Sequence, residues 1–526
     1  MRAPALAVHA ALLATAVALA TLPAPEAAAA TATAPAVAWR EAAGDADIER
    51  AFAQARAEKK PLLLYWGAAW CPPCNQLKAT LFNRQDFIER SRALVAVHID
   101  GDLPGAQKLG GRFKVRGYPT MLLLAPDGTE LTRLPGEVDP PQVMALLQTG
   151  LSGGRPVAAL LAQARAGKPL TGNEWRSLAF YGWEIDEARL VSADQRAALL
   201  AQLAAACPAS EAEAATRLLL KALAESGEGR GLKPDAARRD RVLALLADPV
   251  ASRAQMDVLV NAAPDITQAL APALGAERDR LAAAFDSALR RLQADASLSR
   301  GDRLSALAAR VGLARLGLPA DTRVPALPPA LLAEVKAQVA RDDREITDAY
   351  ERQAVVTGGA ATLAEAGLWA DSDALLGANL ARSHSPYYLM SQLASNARKQ
   401  GRTADALRWS EQAWTRSEGP ATRLQWGASF VAALVELAPQ DEARIERTAA
   451  QLFTEAGQDS AAFHERSARS LQRVGTLLAK WNTQGGHDAV LRRLQGVLAP
   501  VCGRLPASDP QRATCDAVLA PPAKRG

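Results

Sequence analysis

The sequence predicts two regions of different class. An α/β domain with a mixed sheet covered on both faces spans residues 37–151, and an all-α region, solenoid-like or a bundle, spans 157–526. Three observations carry this prediction. From Trp39 onward, helical and strand patterns alternate and end in a hairpin and a helix, the order of a mixed sheet with helices on its faces. Gly153, Gly154 and Pro156 break the chain within a linker, 152–156, and the strand patterns stop there. Aromatic residues make up only 5% of the 526 residues and alanine is abundant, which favours helices over sheets.

Each element of the first region has its own signal. Residues 45–60 place Ile48, Phe52 and Ala55 on one stripe of an amphipathic helix. After Pro61, residues 62–66 are a continuous apolar run suited to a strand buried on both faces. A helix follows from Cys71 through Lys78 and Leu81, then a short one over 85–92, a strand over 94–99 and a helix over 105–115. Residues 121–124 and 130–134 read as strands joined at Asp127-Gly128, a hairpin turn signal, and 140–151 as a closing helix.

In the second region the helix starts are well marked. Thr171 with Glu174, and Ser192 with Gln195, each fit a capping box. Two helix–turn–helix passages, one at Gly367 with Leu375 and Leu376 and one at Gly401 with Ala406 and Leu407, are similar. Their glycines are 34 residues apart, but Ala374-Leu375 and Ala406-Leu407 are 32 apart, so the register slips. The stretch 395–414 resembles a tetratricopeptide unit, which marks about 360–456 as the passage where such repeats are expected.

Residues 1–30 differ in kind. Arg2, a long apolar run to Leu22, Pro23 and Pro25, and the alanines 27–30 follow the pattern of a secretory signal peptide; an uncleaved anchor is the alternative. No later stretch is apolar enough for stable membrane insertion, so the mature chain is expected in the periplasm. The net charge of +5 arises from 61 basic residues interleaved with 56 acidic ones, a mixed surface that argues against nucleic acid as a partner.

The chemistry lies in Trp70-Cys71-Pro72-Pro73-Cys74, between the buried strand and a helix. Two residues between the cysteines bring both sulfurs within one turn, where they can close a short disulfide. At a helix N-terminus the first cysteine meets unsatisfied N–H groups and the positive end of the dipole, which favours its thiolate. Cys71 is then the nucleophile and Cys74 the resolving thiol. The five histidines are scattered and no second Cys-x-x-Cys exists, so the pair is not read as a zinc site and no metal site is expected; a Cu(I) carrier stays open. Cys502 and Cys515 are candidates for a structural disulfide worth about 3 kcal/mol, and Cys207 reads as a buried small hydrophobe.

Together with Gly117-Tyr118-Pro119-Thr120 ahead of a strand, this motif resembles the thioredoxin superfamily, closest to the thioredoxin-like domains of periplasmic reductases. The resemblance implies a cis peptide before Pro119, substrate contacts from the Tyr118 backbone and from Trp70, and protein partners with thiols or disulfides. It implies no organic cofactor, because the dithiol carries the electrons, and a membrane-embedded electron donor for a reductase. Two positions depart from the pattern. The buried acid six residues before the first cysteine is Tyr65, and the lysine opposite it is Ala96, so water or Asp100 would have to take the proton of Cys74. With no histidine between the cysteines, a reductase or isomerase is favoured over an oxidant. The helical region is expected to recruit a client or partner through a polar and aromatic groove facing Cys71. Its own aromatics, Tyr387, Tyr388, Trp409, Trp414 and Trp426, are read as core or inter-helix packing. A scaffold that uses the first domain only for docking is a further alternative.

Overall fold

The computed structural model describes residues 36–134, 139–186, 188–227 and 229–520; the expected signal peptide, residues 1–30, lies outside the described residues. Five strands, β1 (Arg40–Glu41), β2 (Leu62–Gly67), β3 (Val95–Asp100), β4 (Thr120–Leu124) and β5 (Glu130–Leu134), form one sheet in the order β1-β3-β2-β4-β5. The first three are parallel, which requires a crossover between β2 and β3; β4 and β5 extend the other edge antiparallel through the Asp127-Gly128 turn. β1 has only two residues, too short for any periodicity to announce it.

Helices α1 (Asp45–Glu58), α2 (Pro72–Thr80), α3 (Gln85–Ser91), α4 (Ala106–Phe113) and α5 (Pro140–Leu151) cover the sheet. Every residue of β2 is buried, because its side chains leave alternately toward two cores. Leu62, Leu64 and Trp66 pack with Ile48 and Phe52 of α1, whereas Leu63 and Tyr65 pack with Leu77 of α2 and Leu147 of α5.

Beyond α5 the described chain is largely helical, from Val157–Arg165 to Pro510–Ala517. Successive helices pack on their sequence neighbours and, at several points, on the helix after next. Thr171 caps the Gly172–Ala179 helix in a formed capping box with Glu174. Ser192 occupies the N-cap of Ala193–Ala206, but its side chain makes no capping bond and the expected box with Gln195 is not formed. A carboxylate such as that of Glu174 is the stronger acceptor for an N-cap N–H than a neutral amide. Gly367 and Gly401 sit in the turns that join Ala349–Glu365 to Trp369–Asn379 and Pro386–Lys399 to Thr403–Arg416. Among the described residues, no helix is long and apolar enough to cross a membrane.

The two regions share a core. The apolar cluster under Leu63 and Leu147 continues without a break through Val157, Leu160, Trp175 and Phe180. Arg133 of β5, wholly buried, pairs with Glu130 at 3.0 Å and donates to the carbonyls of Lys114 and Ile185 at 2.8 and 3.1 Å. These bonds satisfy a buried charge and tie the last strand to the helical region.

Candidate active site

At the end of β2 the chain turns and enters α2 with Cys71 as its N-cap and Pro72 and Pro73 in the first turn, where a missing N–H costs nothing. Cys71 and Cys74 are joined in a disulfide, their Cα atoms 5.2 Å apart, and the Cys74 N–H donates to Cys71 Sγ at 3.2 Å. In the reduced protein the same N–H and the helix dipole favour a thiolate at Cys71. The Asn75 amide donates to the carbonyls of Ala69 and Cys71, both at 2.8 Å, and so braces the turn. Asn75 was not singled out in the sequence; its only signal is a short amide in the first helical turn, next to the motif.

The Tyr118–Pro119 peptide is cis, and Tyr118 and Trp70 pack against Ala68, Cys71 and Cys74 in one small cluster. Gly101 lets the Tyr118 ring lie on the β3 turn, since a Cβ there would stand 2.2 Å from it. Gln107 of α4 fixes this ring by donating to the Tyr118 hydroxyl at 3.0 Å and to the Gly101 carbonyl at 2.8 Å.

Tyr65, in place of the acid, is buried, and burial together with the Asp100 charge raises its phenol well above the usual tyrosine range. It stays protonated and cannot take the proton of Cys74. Its ring stacks on His98, the centroids 5.2 Å apart. Lys78 lies nearby on α2; burial lowers its amine, against the charges of Asp100 and Glu41.

The helical region lies directly on the motif. Cys71 is 2% exposed and Cys74 fully buried. Tyr388 stacks on Trp70 at 5.9 Å and Trp426 meets it edge-on at 5.3 Å, so these two aromatics do more than pack helices together; Tyr387 and Trp414 are core residues, as expected. The Trp70 indole N–H donates to Thr422 at 2.8 Å and to Asp102 at 3.2 Å, and His384 reaches the Ala69 carbonyl at 3.0 Å. Beside the buried Cys71, free space runs along α2. There Pro72, Pro73 and Gln76 form one wall, and Met256, Leu304 and Gln392 the other, of a cavity of about 480 Å³.

The remaining cysteines lie apart from this cluster. Cys502 and Cys515 are disulfide-bonded within the C-terminal core, and Cys207 is a buried free thiol pushed up to about 11 by burial.

A family model described as a thioredoxin-like domain matches residues 48–151. The thiol:disulfide interchange protein DsbD of Pseudomonas fluorescens is 35% identical over 98 residues, 18% of this chain and 17% of that protein. DsbD 2 of Pseudomonas aeruginosa is 31% identical over 98 residues, with the same shares. The chain thus spans about a sixth of the length of the curated relatives it matches. A solved thioredoxin from Thermus thermophilus aligns at 24% identity over 23% of this chain and 90% of its own, with a TM-score of 0.20. Residues 48–151 are therefore a thioredoxin-like domain, set in a chain whose remainder is largely helical.

Proposed function

We propose that the protein is an exported thiol–disulfide oxidoreductase of the periplasm, working as a reductase or isomerase on protein substrates. The observation that carries this reading is the Cys71–Cys74 disulfide at the N-cap of α2 inside a thioredoxin-like domain. In the reductive direction, the Cys71 thiolate attacks one sulfur of a client disulfide. The client S–S bond breaks, a mixed disulfide forms and one client thiolate leaves. The Cys74 thiolate then attacks Cys71 Sγ, which closes the Cys71–Cys74 disulfide and releases the second client thiolate. Two electrons pass to the client, and the protons given up by the two cysteines reappear on its thiols. The dithiol needs no organic cofactor, and a membrane-embedded donor recharges it. Trp70, Tyr118 and Pro119 contact the client chain. The helical region recruits the client or a partner, and the apolar cavity beside Pro72 and Pro73 supports that role.

The test is the reduction potential of the Cys71–Cys74 pair, with Cys74→Ser to trap mixed disulfides. A value near about −270 mV marks a reductase and one near about −120 mV an oxidant. The burial of Cys71 favours a second reading, a scaffold whose first domain only docks. A dithiol with no reversible couple, and a trap that captures no client, would replace the enzyme with that scaffold.

A further inference from the structure

Arg466, on the Glu465–Trp481 helix, lies outside the thioredoxin-like domain yet touches both walls of its dithiol. Its guanidinium carbon stands 5.1 Å from the centre of the Trp70 ring and 5.2 Å from that of Tyr118. These rings belong to the residues that immediately precede Cys71 and Pro119. The Arg466 backbone N–H donates at 3.0 Å to Gln107, the residue that orients the Tyr118 hydroxyl.

Its charge is held by Asp102, at 3.0 Å, with both side chains largely buried. Asp102 also accepts the Thr422 hydroxyl at 2.5 Å and the Trp70 indole N–H at 3.2 Å. The Pro420–Leu437 helix comes this close because its N-cap is Gly419, at φ +82°; a Cβ there would lie 2.7 Å from that of Asp102. The two other nitrogens of the same guanidinium, Nε and Nη1, are buried and have no acceptor in the described structure. Buried donors are rarely left unpaired, and those that are call for an explanation. The disulfide holds no negative charge, whereas reduction creates a thiolate in this low-dielectric cluster, where a nearby cation counts for most.

We infer that Arg466 is a positioning residue of the dithiol site: through Trp70, Tyr118 and Asp102 it sets the geometry and the charge balance in which Cys71 ionises. This rests on the oxidoreductase reading and deepens it, because the helical region then completes the site as well as recruiting to it. Around the pair stand also Asp100 on the same turn, the Tyr118 and Tyr387 phenols, Glu418 before the Pro420–Leu437 helix, the Glu465–Arg469 ion pair and His384.

The experiment follows alkylation of reduced Cys71 by iodoacetamide against pH in the full chain, read by mass spectrometry of the Cys71 peptide. Arg466→Gln should move the midpoint of the profile up and slow alkylation at neutral pH about tenfold, one pKa unit. Arg466→Lys should restore most of the rate. Asp102→Asn, which frees the arginine's charge, should move the midpoint down. Loosened packing would shift the Gln and Asn variants in the same direction, so a common shift overturns the inference, as does an unmoved Arg466→Gln profile. Should Arg466→Gln fail to fold, the opposite signs expected of Asp102→Asn and Arg466→Lys (down, and slightly up) still decide. A wild-type dithiol with no reversible couple would instead sink the oxidoreductase reading itself.

Discussion

The two disulfides are both buried, yet they sit at opposite ends of their helices. Cys71 caps the N-terminus of α2, where its sulfur accepts an N–H. Cys502 is the penultimate residue of the Asp488–Gly503 helix, at the negative end of the dipole, and joins Cys515 inside an apolar core. The first surroundings favour a thiolate and hence exchange; the second disfavour one and keep the bond closed. Burial and pairing are shared, so neither separates a redox disulfide from a structural one. The helix end and the nearby charges do.

The sharpest way to break this contrast is to open each disulfide in turn by substitution. Cys71→Ser should abolish reduction of a protein disulfide, by more than about a thousandfold, because the nucleophile itself is lost. Cys502→Ser with Cys515→Ser should leave turnover within about twofold; an equal loss from both would end the distinction. Next in size is stability. Arg133→Met leaves the buried Glu130 carboxylate with Arg189, at 3.2 Å, and takes a donor from the Lys114 and Ile185 carbonyls, which should cost about 3–5 kcal/mol in equilibrium unfolding. Replacing Cys502 and Cys515 by alanine should cost about 2–4 kcal/mol while the potential of the Cys71–Cys74 pair stays unchanged.

The smallest effect compares two acid sites. Hydrogen bonds from Arg310 hold the Glu334 carboxyl below its ordinary value, so its contribution is present above the unfolded pKa of about 4.3 and is lost as pH falls. Burial raises the Asp102 carboxyl, against the charge of Arg466, so its contribution has the opposite sign: present at acid pH and lost as pH rises through its folded value. Because Glu334 is about one-third exposed, Arg310→Met should flatten the acid limb of a melting-temperature profile by only about a degree. A steeper acid limb in that variant would contradict the assignment.

Most of the α/β domain was legible because its signals are local. The apolar run of β2, the proline-bracketed helix starts and the Asp127-Gly128 turn each lie within a few residues of what they specify. The Ser192 box failed although its pattern is the usual one, since a capping pattern marks where a helix can start without ensuring that the side chain bonds. Tyr388 and Trp426 were legible as apolar helix-face residues, but not as neighbours of Trp70. Periodicity reports that a face is covered and is silent on what covers it.

By itself, then, the sequence determined the chemistry that needs only short range: two thiols one turn apart, their place at a helix N-terminus, and a Tyr118–Pro119 step ahead of a strand. What surrounds that dithiol was decided only by the tertiary structure. Asp102 is 320 residues from Thr422 and 364 from Arg466 in the chain, and it meets them through the packing of the Pro420–Leu437 and Glu465–Trp481 helices on the β3 turn. The reason is physical. Helix formation and the polarisation of a sulfur by its own helix follow from neighbouring residues, whereas the solvent exposure and electrostatic field of a buried site depend on every element folded against it.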